Sequence, residues 1–189
     1  MKKTGLTFLV LFFMFGLMAQ TRYLVDKAHS SVNFKVKHNG ISFVNGSFNS
    51  FEGFIEGDLN SLENANIEFT VDAESIDTRI EPRDKHLRSA DFFDVEKYPK
   101  MSFKSTDIEK TGDKKYKLNG LLTVKDVTKP VTFEVKYGGK IVGRDGKDII
   151  GFTAKNSINR LDYNVAYDPD SKAIAKDVDL VLYMEFVAN

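Results

Sequence analysis

Ser31-Val32-Asn33-Phe34-Lys35-Val36-Lys37-His38 alternates apolar and polar side chains without a break. Successive side chains of an extended strand point to opposite faces, so Val32, Phe34 and Val36 share one face while Asn33, Lys35 and Lys37 share the other. The same period of two recurs along the chain. Ile67, Phe69, Val71 and Ala73 alternate with Glu68, Thr70 and Asp72, and Met101, Phe103 and Ser105 follow suit. Further runs are Tyr116-Leu118-Gly120-Leu122-Val124, Val131-Phe133-Val135-Tyr137 and Val178-Leu180-Leu182-Met184-Phe186. Weaker segments near 42–48, 51–58 and 147–158 bring the total to eight or nine strands. Turn signals lie between them: Asn39-Gly40, Asn45-Gly46, Gly112-Asp113, Gly138-Gly139 and Asp145-Gly146. The pattern predicts one antiparallel all-β domain.

Ile76 to Tyr98 breaks the alternation. It is rich in charge, ends at Pro99, and reads as a long excursion carrying a short helix over Asp84–Arg88. Loops of that length usually serve a function, such as a lid.

Composition narrows the function classes. The 189 residues include no cysteine, which removes disulfides, thiolate metal sites and cysteine nucleophiles. Residues 1–20 open with Lys2 and Lys3 and continue in an apolar run of about thirteen residues, Leu6 to Met18, with a small residue at Ala19. That is the pattern of a signal peptide, and the run is short for a bilayer span of roughly twenty residues. Residues 21–189 then form the mature domain, exported to the periplasm or secreted, with no stable membrane insertion. Without Lys2 and Lys3 the chain carries 25 basic against 27 acidic side chains. A nucleic-acid partner, which calls for a basic excess, is not expected.

The inward positions are large: Phe34, Phe54, Phe69, Phe103, Phe133 and Phe186, with Met101 and Met184. A closed barrel of about eight strands is just wide enough to be filled by side chains or to hold one small ligand. Periodicity alone fits a packed sandwich core at least as well.

Longer motifs tip this balance. Tyr23-Leu24-Val25-Asp26-Lys27-Ala28-His29-Ser30-Ser31-Val32-Asn33-Phe34, then Val36-Lys37-His38-Asn39-Gly40 and Gly46-Ser47-Phe48, open the series. Ser75-Ile76-Asp77-Thr78 and Arg83-Asp84-Lys85-His86-Leu87-Arg88-Ser89-Ala90-Asp91-Phe92-Phe93-Asp94 form its centre, running on through Tyr98-Pro99-Lys100-Met101-Ser102-Phe103. Gly120-Leu121-Leu122-Thr123-Val124, Val127-Thr128-Lys129-Pro130-Val131-Thr132, Gly151-Phe152 and Ile158-Asn159-Arg160 complete it. In order and spacing this set resembles the YceI-like family over nearly the whole of residues 21–189. The resemblance implies a single antiparallel eight-stranded lipocalin-like barrel with a helical excursion. It also implies a long-chain amphiphile or polyisoprenoid held in an apolar channel, with neither catalysis nor a cofactor. Two departures fall in expected turns: Asp126 stands where a glycine is expected, and Leu161-Asp162-Tyr163-Asn164 lacks the glycine expected beside its aromatic residue.

On this reading the channel wall is formed by Val32, Phe34, Val36, Phe54, Ile67, Phe69, Val71, Met101, Phe103, Leu118, Leu122 and Phe133. Phe92 and Phe93 close one end. Arg83, His86 and Arg88 are candidates for touching a ligand's polar head at the mouth. For each wall residue singly, core packing competes with ligand contact.

The polar residues offer alternatives. His29, His38 and His86 are the only histidines, and no His-x-His or His-Glu-x-x-His spacing joins them, so no metal is expected and hydrogen-bonded structural roles fit His29 and His86 better. An enzyme built on the Arg83–Asp91 cluster would pair Asp84 with His86 as a general base, with Ser89 as nucleophile. The competing structural reading makes Asp84 and Arg88 i,i+4 partners on the helix. Asn45-Gly46-Ser47 fits a glycosylation sequon and equally a hairpin turn. Exposed edge strands are compatible with a homodimer.

Overall fold

Eleven strands form one sheet in the computed structural model, which describes residues 21–58 and 62–189. The segment read as a signal peptide, 1–20, lies outside the described residues. The strands are β1 (Thr21–Val25), β2 (Ser31–His38), β3 (Ser42–Phe48), β4 (Phe51–Gly57), β5 (Asn66–Asp72), β6 (Ile76–Asp77), β7 (Lys100–Gly112), β8 (Lys115–Val124), β9 (Val127–Val142), β10 (Asp148–Asn159) and β11 (Ile174–Ala188). Helix α1 (Glu81–Arg88) stands between β6 and β7 and begins three residues before the predicted start, with Pro82 in its first turn. Proline suits that position because a first-turn N–H has no helical partner to lose.

The order β1-β4-β5-β7-β8-β9-β10-β11, with β1 pairing back onto β11, closes a ring of eight antiparallel strands. The remaining three continue existing passes. β2 runs on from β1 along the same edge of β11, where Val25 faces Phe186 and Ser31 faces Tyr183. β3 leads into β4 past Asn49-Ser50, and β5 leads into β6 through a short 3-10 turn, Ala73–Ser75. The chain thus makes eight up-and-down passes, the first three broken, as the eight-stranded expectation has it. At the first break, residues 26–30 stand opposite Met184 and Glu185, and Ser30 Oγ bonds both the N–H and the C=O of Glu185.

Two predicted turns are strand interiors. Asn45-Gly46 lies within β3, with Gly46 opposite Phe34. Gly138-Gly139 lies within β9, where the register slips against Gly151-Phe152 in a β-bulge. Glycine here marks a close approach and a bulge rather than a reversal.

The registers place the β2–β3 and β8–β9 hairpins, α1 and the loop 160–173 at one end of the barrel. The 57–66 connection and the β7–β8 and β9–β10 hairpins lie at the other. Among the inward side chains, Ile76 and Ile150 are the largest that are fully buried. Phe34, Val36, Ile67, Phe69, Met101, Phe103, Leu122, Val178, Leu180 and Leu182 point inward yet keep accessible surface. That surface is the wall of a space inside.

Candidate functional site: an apolar cavity in the barrel

The space is a cavity of about 250 Å³ whose lining is apolar or aromatic except for Ser102 and Arg160. It reaches from Leu62 near one end to Tyr163, Val165 and Ile174 near the other. Thirteen of the side chains expected at the channel line it: Val32, Phe34, Val36, Ile67, Phe69, Val71, Phe92, Phe93, Met101, Phe103, Leu118, Leu122 and Phe133.

Three of the inner rings use glycine gaps. The Phe34 ring occupies the space a β-carbon on Gly46 would need; Phe69 does the same at Gly53 and Phe103 at Gly120. Laid against the wall in this way, the rings leave the middle of the barrel open instead of filling it. The glycines therefore set cavity size.

Phe54 is a correction. Phe51, Ile55 and Gly57 are the buried residues of β4, Phe51 and Ile55 at 6% and 3% exposure, so Phe54 has the opposite parity. It lies on the outer surface beneath the Arg22 guanidinium, 3.7 Å from its ring centroid. Phe51-Glu52-Gly53-Phe54-Ile55 places large apolar residues at both parities, so alternation alone could not choose.

Ile76, Leu87, Phe92 and Phe93 of the excursion line the cavity, whereas its charged side chains bond to the excursion itself and do not. Asp84 is buried and accepts from the Thr78 N–H at 2.9 Å and from the Thr78 hydroxyl. Arg83 donates to Thr78 Oγ1 at 2.7 Å and to its carbonyl at 2.9 Å. Arg88 donates to the carbonyls of Glu74 and Ile76 and to Glu81, not to Asp84. The expected Asp84–Arg88 pair is thus replaced by separate ties to the 74–81 backbone, because the buried carboxylate needs short-range donors that Thr78 supplies. His86 Nε2 lies 2.8 Å from Asp91 Oδ2, its ring edge-on to Phe92 and Tyr167, and Ser89 Oγ donates to the His86 carbonyl. Asp84, His86 and Ser89 do not form a relay. Arg83 and Arg88 thus tie the helix to residues 74–81, and neither they nor His86 is among the cavity-lining side chains.

Arg160 is the residue whose role the sequence did not disclose. It is buried, at 5% exposure, and donates to five backbone carbonyls: Val165, Tyr167, Asp168, Ile174 and Ala175, at 2.6–3.0 Å. Burial pulls its pKa below the usual arginine value, while nearby Asp168 pulls the other way. Asp168 in turn accepts the N–H groups of Lys172, Ala173 and Ile174, which hold its carboxyl below the ordinary range. Together they fasten the loop that covers the helical end. Beside it, Tyr163 lines the cavity, and burial pushes its phenol pKa up, so it stays neutral.

His29, His38 and His86 do not gather at one point. Among the described residues, the one grouping with metal-ligand spacing is Asp26, His29 and Glu185, its ligand atoms within 4.8 Å of one another. In it His29 Nδ1 lies 2.8 Å from Asp26 Oδ2, a hydrogen bond across the β1–β2 break.

The sequence matches the YceI-like domain over residues 23–186. The chain belongs to the YceI-like family. Protein YceI of Escherichia coli O157:H7 is 38% identical over 191 aligned residues, covering 99% of this chain and 98% of that protein. Among solved YceI-like structures, the Campylobacter jejuni YCEI protein is 35% identical, with a TM-score of 0.75 over 87% of this chain and 96% of that one. A polyisoprenoid binding domain from Saccharophagus degradans shares the fold at 14% identity, with a TM-score of 0.68 over 88% of this chain and 98% of that one.

Proposed function

We propose that this YceI-like protein binds and carries or stores a long apolar chain, a polyisoprenoid or a similar amphiphile, in the barrel cavity, without catalysis. The observation that carries the reading is the continuous apolar cavity with inward rings laid back against its wall. A polyisoprenoid binding domain of the same fold supports the choice of chain. The apolar run after Lys2 and Lys3 supports a periplasmic or secreted location.

The driving force is removal of the chain from water. At about 0.8 kcal/mol per buried carbon, one five-carbon isoprene unit contributes roughly 4 kcal/mol. A few units therefore exceed the association cost of about 4–15 kcal/mol. No reacting group is needed for that work.

The test is native mass spectrometry of the purified protein after incubation with geranylgeraniol. One bound equivalent is expected, and Leu122→Glu, which places a carboxylate in the cavity wall, abolishes it while far-UV circular dichroism stays all-β. Absence of binding by the unaltered protein, with geranylgeraniol and with longer prenols alike, overturns the reading.

A further inference from the structure

The ladder between β9 and β10 runs from Val142–Asp148 to Glu134–Lys155 and ends there. Both strands continue. β9 stays paired with β8 as far as Val127, and β10 stays paired with β11 as far as Asn159. Between Val127–Phe133 of one strand and Asn156–Asn159 of the other, the barrel wall has no ladder.

Two further features mark this place as a built opening. Asn156 is opposite Leu180, which is opposite Phe34, so a polar side chain stands at an inward position of an otherwise apolar row. Its Oδ1 accepts the N–H of Ser157 at 2.7 Å. On the other side of the gap, β9 carries Pro130, a residue without an N–H that sheets confine to edges.

Side chains at both ends of the cavity are buried. At the helical end Phe92, Tyr163 and Val165 are buried, and Arg160 pins the covering loop through its five carbonyls. Leu62 is buried at the opposite end. The cavity, at about 250 Å³, is also smaller than the usual ligand pocket of roughly 300–1,000 Å³. A long amphiphile therefore has to leave part of itself outside. A groove of about 1,070 Å³ runs over the outer face of β2, β3 and β11 and reaches the gap at Thr132, Lys155, Asn156 and Ser157; two of its residues, Phe34 on β2 and Leu180 on β11, also line the cavity.

We infer that the gap between β9 and β10 is a lateral portal for a single-chain amphiphile. The apolar chain enters between β9 and β10 beside Asn156, and a hydrogen-bonding head stays outside at Thr132, Asn156 and Ser157. This inference rests on the container reading above.

The chain has no cysteine, so single thiols can be placed and labelled cleanly. Ser157→Cys at the gap, Lys85→Cys on α1 and Lys147→Cys at the opposite end, all exposed positions, are each coupled to a bulky maleimide. Uptake of all-trans-retinol, an isoprenoid alcohol that brightens in apolar surroundings, is followed by stopped-flow fluorescence. The label at Ser157 is expected to slow uptake at least tenfold or to block it with the fold intact, while the other two leave the rate within twofold. An unchanged rate with Ser157 labelled overturns the portal, as does equal or greater slowing from Lys85 or Lys147. Failure of the unlabelled protein to bind retinol, geranylgeraniol and longer prenols alike overturns the container reading itself, a separate outcome.

Discussion

Asp126 Oδ1 accepts a hydrogen bond from Asn164 Nδ2 at 3.1 Å, joining the β8–β9 turn to the loop that follows Arg160. Asp126 stands where the family resemblance implies glycine, and Asn164 belongs to the Leu161–Asn164 stretch that lacks the glycine expected beside Tyr163. Lys125 takes the left-handed backbone of the turn, at φ 54°, and its Nζ donates to the Asn164 carbonyl at 2.9 Å. Asn164 is itself left-handed, at φ 59°, a conformation asparagine tolerates better than most residues. The departures from glycine therefore make a tie in place of two free turns.

That tie gives the first prediction. The Asn164 amide, the largest influence on Asp126, holds its carboxyl below the ordinary value of 3.8. Asn164→Gly keeps the backbone conformation and removes the donor, so Asp126 should titrate closer to that ordinary value by NMR. The contribution of a depressed carboxyl is present above its unfolded pKa and lost as pH falls through its folded one. The wild-type and variant stabilities should accordingly converge in acid. An Asp126 titration unmoved by the substitution would show that the bond is not made in solution.

Gly46 and Gly120 should respond differently to alanine. The three atoms nearest a methyl at Gly46 are side-chain atoms, two of the Phe34 ring and Thr78 Cγ2. Phe34 can swing into the cavity, so Gly46→Ala should lower affinity for geranylgeraniol at least fivefold with little change in Tm. At Gly120 the methyl also meets the Lys104 carbonyl, which belongs to the backbone and cannot swing away. Gly120→Ala should therefore cost about 1–3 kcal/mol, the usual range for overpacking. Paired binding and melting curves check both, and equal Tm losses would refute the distinction.

Arg160→Met should be among the most damaging single changes. It removes all five donors from carbonyls at the edge of an apolar cavity. Unmet buried acceptors cost about 1–3 kcal/mol each, and water can reach some of these, so a net loss of about 3–5 kcal/mol is expected in chemical denaturation. The loop 164–174 should also become sensitive to protease. A loss below about 1 kcal/mol would mean that the loop holds itself.

His29 supplies a pH dependence of opposite sign. Its hydrogen bond to Asp26, with the charges of Asp26 and Glu185, raises its pKa above the ordinary 6.5. The stabilising pair is then complete below that value and fades as pH rises through the raised pKa. Asp26→Asn should bring the His29 ring titration back down and flatten the fall in Tm between pH 6 and 9. NMR of the ring protons reads the first effect directly. A titration unchanged in Asp26→Asn would contradict the assignment.

The fold was largely legible because alternation is a direct print of strand geometry, and Val32-Phe34-Val36 or Val131-Phe133-Val135 could fit no other element of that length. The cavity wall followed from the same parity. It failed at Phe54, where Phe51, Phe54 and Ile55 crowd both faces and only the β4–β5 register decides. Asn45-Gly46 and Gly138-Gly139 misled because a glycine seated under a ring or in a bulge carries the same local signature as one in a turn. Arg160 could not be read, since its five partners are backbone carbonyls of the loop that follows it and the start of β11, which any side chains could supply. The portal was invisible for a related reason: it is a pairing that stops, which no residue announces except Pro130.

Mass spectrometry of the protein isolated under native conditions from its own cells, followed by organic extraction, tests the container most directly. One equivalent of a long apolar chain should leave the protein on extraction, identified by its mass as an isoprenoid or a comparable lipid. A protein at its bare mass that also takes up no added long-chain lipid would mean that the rings close the cavity in solution and that the barrel is a filled one.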